Sequence, residues 1–560
     1  MENIKMLTKH KNLKDFLIAL LISALFFSFL FILYDFVFGI NDDRTISNLI
    51  GGKFAPPSQY GIFVSILISY PLSKLYSWFP NVPFYGLMYI FLMLCLTVFI
   101  VFYVLNKVNK KTIYKVSIIM LVLGLLLPII VMPQFTILSA LLIIPLIIIL
   151  LNFKNFTKNE KITYSILFFL FSFFAIAVRE DVFYMSIPFL LLCIFINIKK
   201  DKKWIVFPAI FVSIILLISG VHIFANNALL NNPEYKAYID YNIVRSDLYD
   251  FYLFPDYEEN IELYEELGIS SEAYDMITNH IFDIPEASYE NLCTIRDYQR
   301  AQYFNSISFS SIISEITHSF FDSFNIILII AICPLFLYLM FISFKSNKRI
   351  FLLVLFTILG TIAIAVGLSI FMKFPDRIAT SLLLFNLAIL ISLFNNLTAQ
   401  SIKTKSNYLA IFSIIIVSII SLFNITITKI NNIGPVAHCN DNITIENYIT
   451  NDPDSLYMVD ISVTIPQSAF LMRTINKVYN CYYSDWFCFS PTYNDFMQRL
   501  GYKSFADILE NCDDFKFITK EGSKRFIYMK NYVEAKFNRT FVYETSIDDK
   551  FYVYCLVDIS

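Results

Sequence analysis

The sequence predicts a polytopic α-helical membrane protein of about 11 spans with a small α/β domain after them. Three observations carry this. Of the 560 residues, 57% are hydrophobic and 16% charged, outside the usual range of soluble domains. Apolar stretches of about 20 residues, enough to cross a hydrocarbon core, recur between residues 16 and 428. After that the composition changes, and short alternating strand-like and helix-like segments follow. The expected division is 1–430 for the membrane domain and 431–560 for a soluble domain.

The rest of the composition narrows the class. Gly is scarce (13), while Phe (58) and Tyr (35) are abundant, as in packed helices with aromatic residues near membrane interfaces. No basic patch with interleaved aromatics points to nucleic acid. His10, His222, His280, His318 and His438 are scattered and Cys-x-x-Cys is absent, so no zinc spacing exists. The N-terminus is basic, but the apolar run Phe16–Phe38 has no small-residue cleavage site and reads as a retained helix.

The spans expected in order are 16–38, 84–105, 113–131, 134–152, 162–178, 182–198, 204–225, 323–344, 350–371, 377–396 and 408–428. Gly61–Phe79 is a twelfth candidate, and charge decides against it. Lys5, Lys9, Lys11 and Lys14 put the N-terminus in the cytoplasm. If Gly61–Phe79 does not cross, every basic loop falls inside: Lys107/Lys110/Lys111/Lys115, Lys154/Lys158/Lys161, Lys199/Lys200/Lys202/Lys203, Lys345/Lys348/Arg349 and Lys403/Lys405. If it crosses, all of them fall outside. Pro71 would also interrupt a spanning helix. The segment is therefore expected to lie in the outer interface, within a first outer loop of residues 41–83.

That orientation gathers the remaining charged residues on one side. Asn41-Asp42-Asp43-Arg44-Thr45 follows the first span. Arg179-Glu180-Asp181 and Lys373-Phe374-Pro375-Asp376-Arg377 sit between later spans. Residues 226–322 form a large acidic outer loop: between Glu234 and Asp297 there are sixteen Asp or Glu and three Lys or Arg. Within it, Tyr257–Leu267 reads as a surface helix, Ser270 or Ser271 as a helix cap, and Ala287–Gln299 as a third helix. The loop is either a solvated cover or a lid over Asp42 and Asp43, and Arg245 among its acids suits contact with a phosphate. The soluble domain is expected to hold strands at Leu456–Ile461 and Phe515–Thr519, helices at Phe505–Asn511 and Ser523–Lys536, and a hairpin of Phe541–Thr545 with Phe551–Val557. Trp486 is read as core. Cys481, Cys488, Cys512 and Cys555 face an oxidising side, where disulfides are open to them.

Ionisable groups at the end of a span are costly and often functional. A carboxylate there, Asp42 or Asp43, suits general-base work on an alcohol that attacks an anomeric carbon. The leaving lipid phosphate would need positive charge, available from Arg44, Arg179, Arg245 and Arg377, with Asp181 beside them. No nucleotide-binding glycine loop is present. Two carboxylates alone are a poor metal signature, so no cofactor is required, and a divalent ion stays an open alternative.

The order of parts resembles integral-membrane glycosyltransferases of the GT-C fold, which carry an acidic catalytic residue in a first outer loop with interface helices. More closely, the chain is similar to a bacterial group of polytopic membrane proteins. The shared pieces are Asn41-Asp42-Asp43, Pro80-Asn81-Val82-Pro83-Phe84-Tyr85, Gln134-Phe135-Thr136, Arg179-Glu180-Asp181, Asp247-Leu248-Tyr249-Asp250 and Pro255-Asp256-Tyr257. The resemblance implies transfer of a sugar from a polyprenyl-phosphate donor to a cell-surface glycan or protein at the plasma membrane, with the C-terminal domain outside. The alternatives are a transporter or flippase of lipid-linked glycans and a non-enzymatic surface protein. The spans carry little mid-helix charge and no visible repeat, which favours the enzyme over the transporter.

Overall fold

The computed structural model describes residues 2–39, 41–53, 55–108, 112–197, 206–322, 324–397, 406–460, 463, 469 and 480–559. Ile40, Ile461 and, of the basic loops, Lys110, Lys111, Lys199, Lys200, Lys202, Lys203, Lys403 and Lys405 lie outside the described residues.

Nine helices among the described residues are long and apolar enough to cross a membrane. They are α1 (Glu2–Leu33), α4 (Phe84–Lys107), α5 (Thr112–Val131), α6 (Phe135–Asn152), α7 (Lys158–Val178), α9 (Val206–Leu229), α15 (Asn325–Ser346), α16 (Lys348–Phe371) and α17 (Asp376–Leu397). The other two expected spans are also helical, as α8 (Glu180–Asn197) and the first part of α18 (Ser406–Thr450). The chain is thus a polytopic helical membrane protein.

The bundle is organised around α6. Its sequence is apolar on every side, and nearly every residue from Phe135 to Leu151 is buried. Helices α4, α7, α8 and α17 pack around it. Lipid is as apolar as leucine, so close packing and a few hydrogen bonds hold such helices together. Ser139 of α6 donates to the carbonyls of Ala175 (2.8 Å) and Arg179 (3.1 Å) at the end of α7. Asn386 of α17 reaches Thr361 of α16 at 3.2 Å, and Asn424 of α18 donates to Gly124 of α5 at 3.0 Å. Each such bond contributes about 0.6 kcal/mol.

At the end of the bundle that carries Asp42 and Asp43, the structure departs from expectation in ways that shape the site. The first helix ends at Leu33 rather than near residue 38. Residues beyond it extend alongside the α5–α6 connection: Val37 N–H donates to Val131 at 3.3 Å and Gly39 N–H to Pro133 at 2.9 Å. A Cβ at Gly39 would stand 3.2 Å from the Met132 carbonyl oxygen, which explains a glycine at this close approach. This segment delivers α2 (Asn41–Gly51) to the N-terminus of α6.

The doubtful span Gly61–Phe79 forms α3 (Ile66–Trp78), capped by Ser65. Thirteen residues rise only about 20 Å, short of the roughly 30 Å of a bilayer core. Pro71, expected to break a helix, lies inside α3, which continues past it. Ile68, Leu72 and Tyr76 face the protein, while Tyr70, Trp78 and Phe79 are exposed, as suits a helix at an interface.

The insert at 226–322 is largely helical. The helix expected at Tyr257–Leu267 shortens to a 3₁₀ turn, Glu258–Asn260, and α11 (Ile261–Glu266). Ser270 caps α12 (Ser271–Thr278), its hydroxyl accepting from Ala273 N–H at 3.2 Å. The third expected helix begins later, as α13 (Tyr289–Ser306). Two helices were not anticipated: α10 (Pro233–Ser246), which runs on into a π-helical turn at Asp247–Tyr252, and α14 (Phe309–Phe320). No apolar run marks α10, because its buried face is built from Tyr235, Tyr238, Tyr241 and Arg245.

The long helix α18 crosses the expected boundary at 431 and ends at Thr450, with Pro435 inside it. The strands β1 (Leu456–Val459), β2 (Cys481–Tyr482), β3 (Phe515–Thr519), β4 (Arg539–Ile547) and β5 (Phe551–Asp558) form one sheet in the order β2-β1-β3-β5-β4. β1 pairs in parallel with β2 and β3, while β5 is antiparallel to β3 and β4. The helices α19 (Pro491–Leu500), α20 (Phe505–Asn511) and α21 (Lys524–Phe537) complete it. The expected hairpin, strands and two helices are all present, whereas β2 and α19 are additional. Cys481, Cys488, Cys512 and Cys555 are all free thiols. Trp486 is buried as expected, but its ring meets Phe63 of the first outer loop at 4.7 Å, so it packs at the joint between the domains.

The expected orientation is checked by cysteine labelling in intact cells. Ser77→Cys on α3 and Lys550→Cys in the sheet domain should both react with an impermeant thiol reagent, and Ser346→Cys should react only after permeabilisation. Labelling of Ser77→Cys and Ser346→Cys from the same side would refute it.

Candidate functional site

The first turn of α2 carries two adjacent carboxylates in opposite situations. Asp43 is 0% exposed. One of its oxygens accepts hydrogen bonds from Tyr85 (2.9 Å) and Tyr89, and the other accepts the Phe135 backbone N–H at 3.1 Å. Tyr85 and Tyr89 stand one turn apart on α4 and so share a face. Phe135 N–H is an otherwise unsatisfied donor of the first turn of α6. Asp43 thus joins α2, α4 and α6, and acts as a side-chain cap for the central helix. Burial pushes its carboxyl up to about 7, against the pull of these three donors.

Asp42 is only partly exposed and makes no hydrogen bond or ion pair among the described residues. Burial also raises its carboxyl above the usual range. The charges that act on it are, in order, Arg377, Asp485, Arg179 and Asp250, the arginines lowering its pKa and the acids raising it. These four come from four separate parts of the chain: the start of α17, the sheet domain, the α7–α8 junction and the turn after α10.

The neighbouring residues are held in different ways. Arg44 and Thr45 both bind Asp485, through an ion pair of 3.7 Å and a hydrogen bond, and Asp485 also accepts Trp486 N–H at 2.8 Å. Arg44 therefore docks the sheet domain on α2. Arg179 lies against the rings of Phe63 (5.4 Å) and Phe135 (5.1 Å) and pairs with Asp181 at 3.0 Å. The Asp181 side chain itself is 68% exposed and turned outward. Arg377 makes no ion pair among the described residues. Arg245 is buried, donates twice to Asn242 and lies over Tyr249 and Phe282, and it is not among the charges that dominate at Asp42.

The insert and the sheet domain close over this end together. Tyr238 donates to the Trp486 carbonyl at 3.0 Å, Thr492 to Ser58 at 2.7 Å, and Lys53 pairs with Glu446. Asp283 of the insert, 2% exposed, accepts Phe505 N–H at 2.8 Å and so caps α20; burial pushes its carboxyl up to about 7. Among the described residues no three His, Cys, Asp or Glu gather to hold a metal ion, so the residues around Asp42 do not form a recognisable metal site.

Of the site residues singled out in the sequence, Asp42, Arg179 and Arg377 come together, and Asp485 and Asp250, which also act on Asp42, were not among them. Nothing local marks Asp485, since its place depends on how a distant domain docks. Tyr85 and Tyr89 were legible in principle, as polar groups four residues apart on a spanning helix.

Asp43 and Asp283 make a pH prediction. Both carboxyls are raised from 3.8 to about 7 in the fold, so the fold holds protons that the unfolded chain has released. Stability should therefore fall as pH rises from about 4 to about 7. In thermal unfolding of the detergent-solubilised protein, Asp43→Asn and Asp283→Asn should each flatten that decline. Asp43→Ala should instead cost about 1–3 kcal/mol by stranding buried donors. A decline of unchanged slope in both Asn variants would count against these assignments.

With this geometry in hand, comparison with family models, curated proteins and solved structures finds no match.

Proposed function

We propose that the protein transfers a sugar from a polyprenyl-phosphate carrier to a hydroxyl of a cell-surface acceptor, with Asp42 as the general base. The observation that carries this reading is the state of Asp42: a half-buried carboxyl, raised in pKa, without a hydrogen bond among the described residues, and facing Arg377 and Arg179 at the ends of spans. The acceptor hydroxyl would give its proton to Asp42 as its oxygen forms the new bond to the anomeric carbon. The bond from that carbon to the phosphate oxygen breaks, and the electron pair leaves with the phosphate. Arg377 and Arg179 supply the positive charge that stabilises it there.

The span ends at which these arginines stand suit a lipid whose phosphate lies at the membrane surface and whose chain stays in hydrocarbon. Asp43 has a different role in this scheme. With both oxygens engaged and no exposure, it positions α2 and thereby Asp42. The GT-C resemblance agrees with an acidic base in the first outer loop, and the bacterial plasma membrane is the corresponding location. Arg44 and Asp181 act indirectly, by docking the sheet domain and by pairing with Arg179.

The test uses purified full-length protein, polyprenyl-phosphate sugars and mass spectrometry for released polyprenyl phosphate. Wild type should release it, and Asp42→Asn should lower the rate by about 100-fold or more. Asp43→Asn should retain the greater part of activity, since the amide can keep the same three partners. Arg377→Ala should raise the carrier concentration needed for half-maximal rate. Undiminished release by Asp42→Asn would sink the assignment.

A further inference from the structure

A second group of side chains lies where the insert meets the sheet domain, and it contains donors without matching acceptors. Arg245 of α10 is 6% exposed. Two of its nitrogens donate to the neutral Asn242, at 3.0 and 2.9 Å, and it makes no ion pair among the described residues. Its guanidinium lies over Tyr249 at 5.7 Å and Phe282 at 5.5 Å. One turn earlier on the same face, the buried hydroxyl of Tyr241 has no hydrogen-bond partner among the described residues.

Arg525 of α21 approaches from the sheet domain. Its side chain is 8% exposed and its Nε has no partner among the described residues. It donates to the His280 carbonyl at 3.1 Å and makes a long ion pair of 3.9 Å with Asp460, which also accepts from Thr519 and Ser523. His280 links the two arginines: its ring stacks on Tyr249 at 4.6 Å, and its left-handed backbone (φ 63°) turns its carbonyl towards Arg525 and Ser484. Burial, and after it Arg525 and Arg245, lower the pKa of the His280 ring below its ordinary value against Asp485 and Asp250.

A buried guanidinium paired only with a neutral amide, a second held by one long ion pair and a buried hydroxyl without a partner among the described residues are costly as they stand, because a poorly paired buried charge loses hydration with little return. An anion would reverse that. Two planar guanidiniums that both act on Tyr249 and His280, with the Tyr241 hydroxyl beside Arg245, suit the several oxygens of a tetrahedral anion better than a flat carboxylate. We propose that Arg245, Arg525 and Tyr241 form a phosphate-binding site at the seam of the insert and the sheet domain. It is additional to the Arg179 and Arg377 pair and does not depend on the transferase reading. Because its residues come from both outer parts, a bound phosphate would also hold them together. The phosphate belongs either to a water-soluble ligand or to a lipid headgroup.

The experiment is thermal unfolding of the full-length protein in detergent, titrated with inorganic phosphate at constant ionic strength. A saturable rise in Tm is expected. Arg245→Lys and Arg525→Gln should each weaken the phosphate response about tenfold, and Tyr241→Phe should weaken it less. Arg245→Met should be at least as stable as wild type without phosphate and should lose the response. Loss of the response in the Arg245 and Arg525 variants, which leave Arg179 and Arg377 intact, separates this site from the proposed catalytic one. Should Arg525→Gln fail to fold, Arg245→Lys and Tyr241→Phe decide. Competition by a short polyprenyl phosphate in the same detergent would identify a lipid headgroup, and phosphate binding without such competition would identify a soluble ligand. No saturable shift in wild type, or a wild-type response in both Arg245 variants, would overturn the proposal.

Discussion

The hydrogen bonding of Asp43 is the constraint on which this end of the helix bundle rests. A carboxyl buried in a membrane protein has to be fully satisfied by the protein, since no water reaches it. Here two tyrosine hydroxyls of α4 and the first N–H of α6 supply the partners. The arrangement also removes an orphan donor from the most buried helix of the bundle. The extended segment after Leu33, hydrogen-bonded along the α5–α6 connection, leaves α2 little freedom of position. Because Asp42 is the preceding residue, fixing Asp43 fixes Asp42 as well.

From that fixed turn the rest of the architecture at this end follows. Arg44 and Thr45 carry the sheet domain through Asp485, so the same short helix both anchors itself in the bundle and docks the soluble part. Trp486, next to Asp485, packs on Phe63, whose ring also meets the Arg179 guanidinium. The charges facing Asp42 are thus held by packing rather than by direct bonds to it, leaving its carboxyl available. Buried carboxyls at Asp43 and Asp283 cap helices in the membrane bundle and in the sheet domain respectively, a repeated use of one device.

Several pieces that were visible as separate sequence fragments turn out to be neighbours. The tyrosine that ends Pro80–Tyr85 binds Asp43, as does the backbone of Phe135 in Gln134–Thr136, and Arg179 lies against that same phenylalanine ring. Each fragment carried a polar or conformational signal at the end of an apolar run, so it could be noticed. Other residues gave no such signal. Asp485 and Arg525 sit in a soluble domain where charged residues are ordinary, and Tyr241 and Arg245 fall in a helix whose buried face is aromatic and polar rather than aliphatic. The end of the first helix at Leu33 was marked only by Asp35, since the other residues from Tyr34 to Phe38 continue its apolar run.

The sequence alone determined that the chain is a multi-span helical membrane protein and where most helices begin and end, while the expectation that α3 does not span rests on the basic loops and not on Pro71, which the helix accommodates. Hydropathy and charge are sufficient for those questions, because a bilayer imposes a length and backbone satisfaction on whatever crosses it. The tertiary structure decided which helix is central, since lipid and protein neighbours are equally apolar and leave the same mark on a sequence. It also decided between two adjacent aspartates of identical chemistry. One lies against α4 and α6 with every oxygen engaged, and the other faces arginines from distant segments. That difference arises from where separate parts of the chain meet, and no local pattern of residues encodes it.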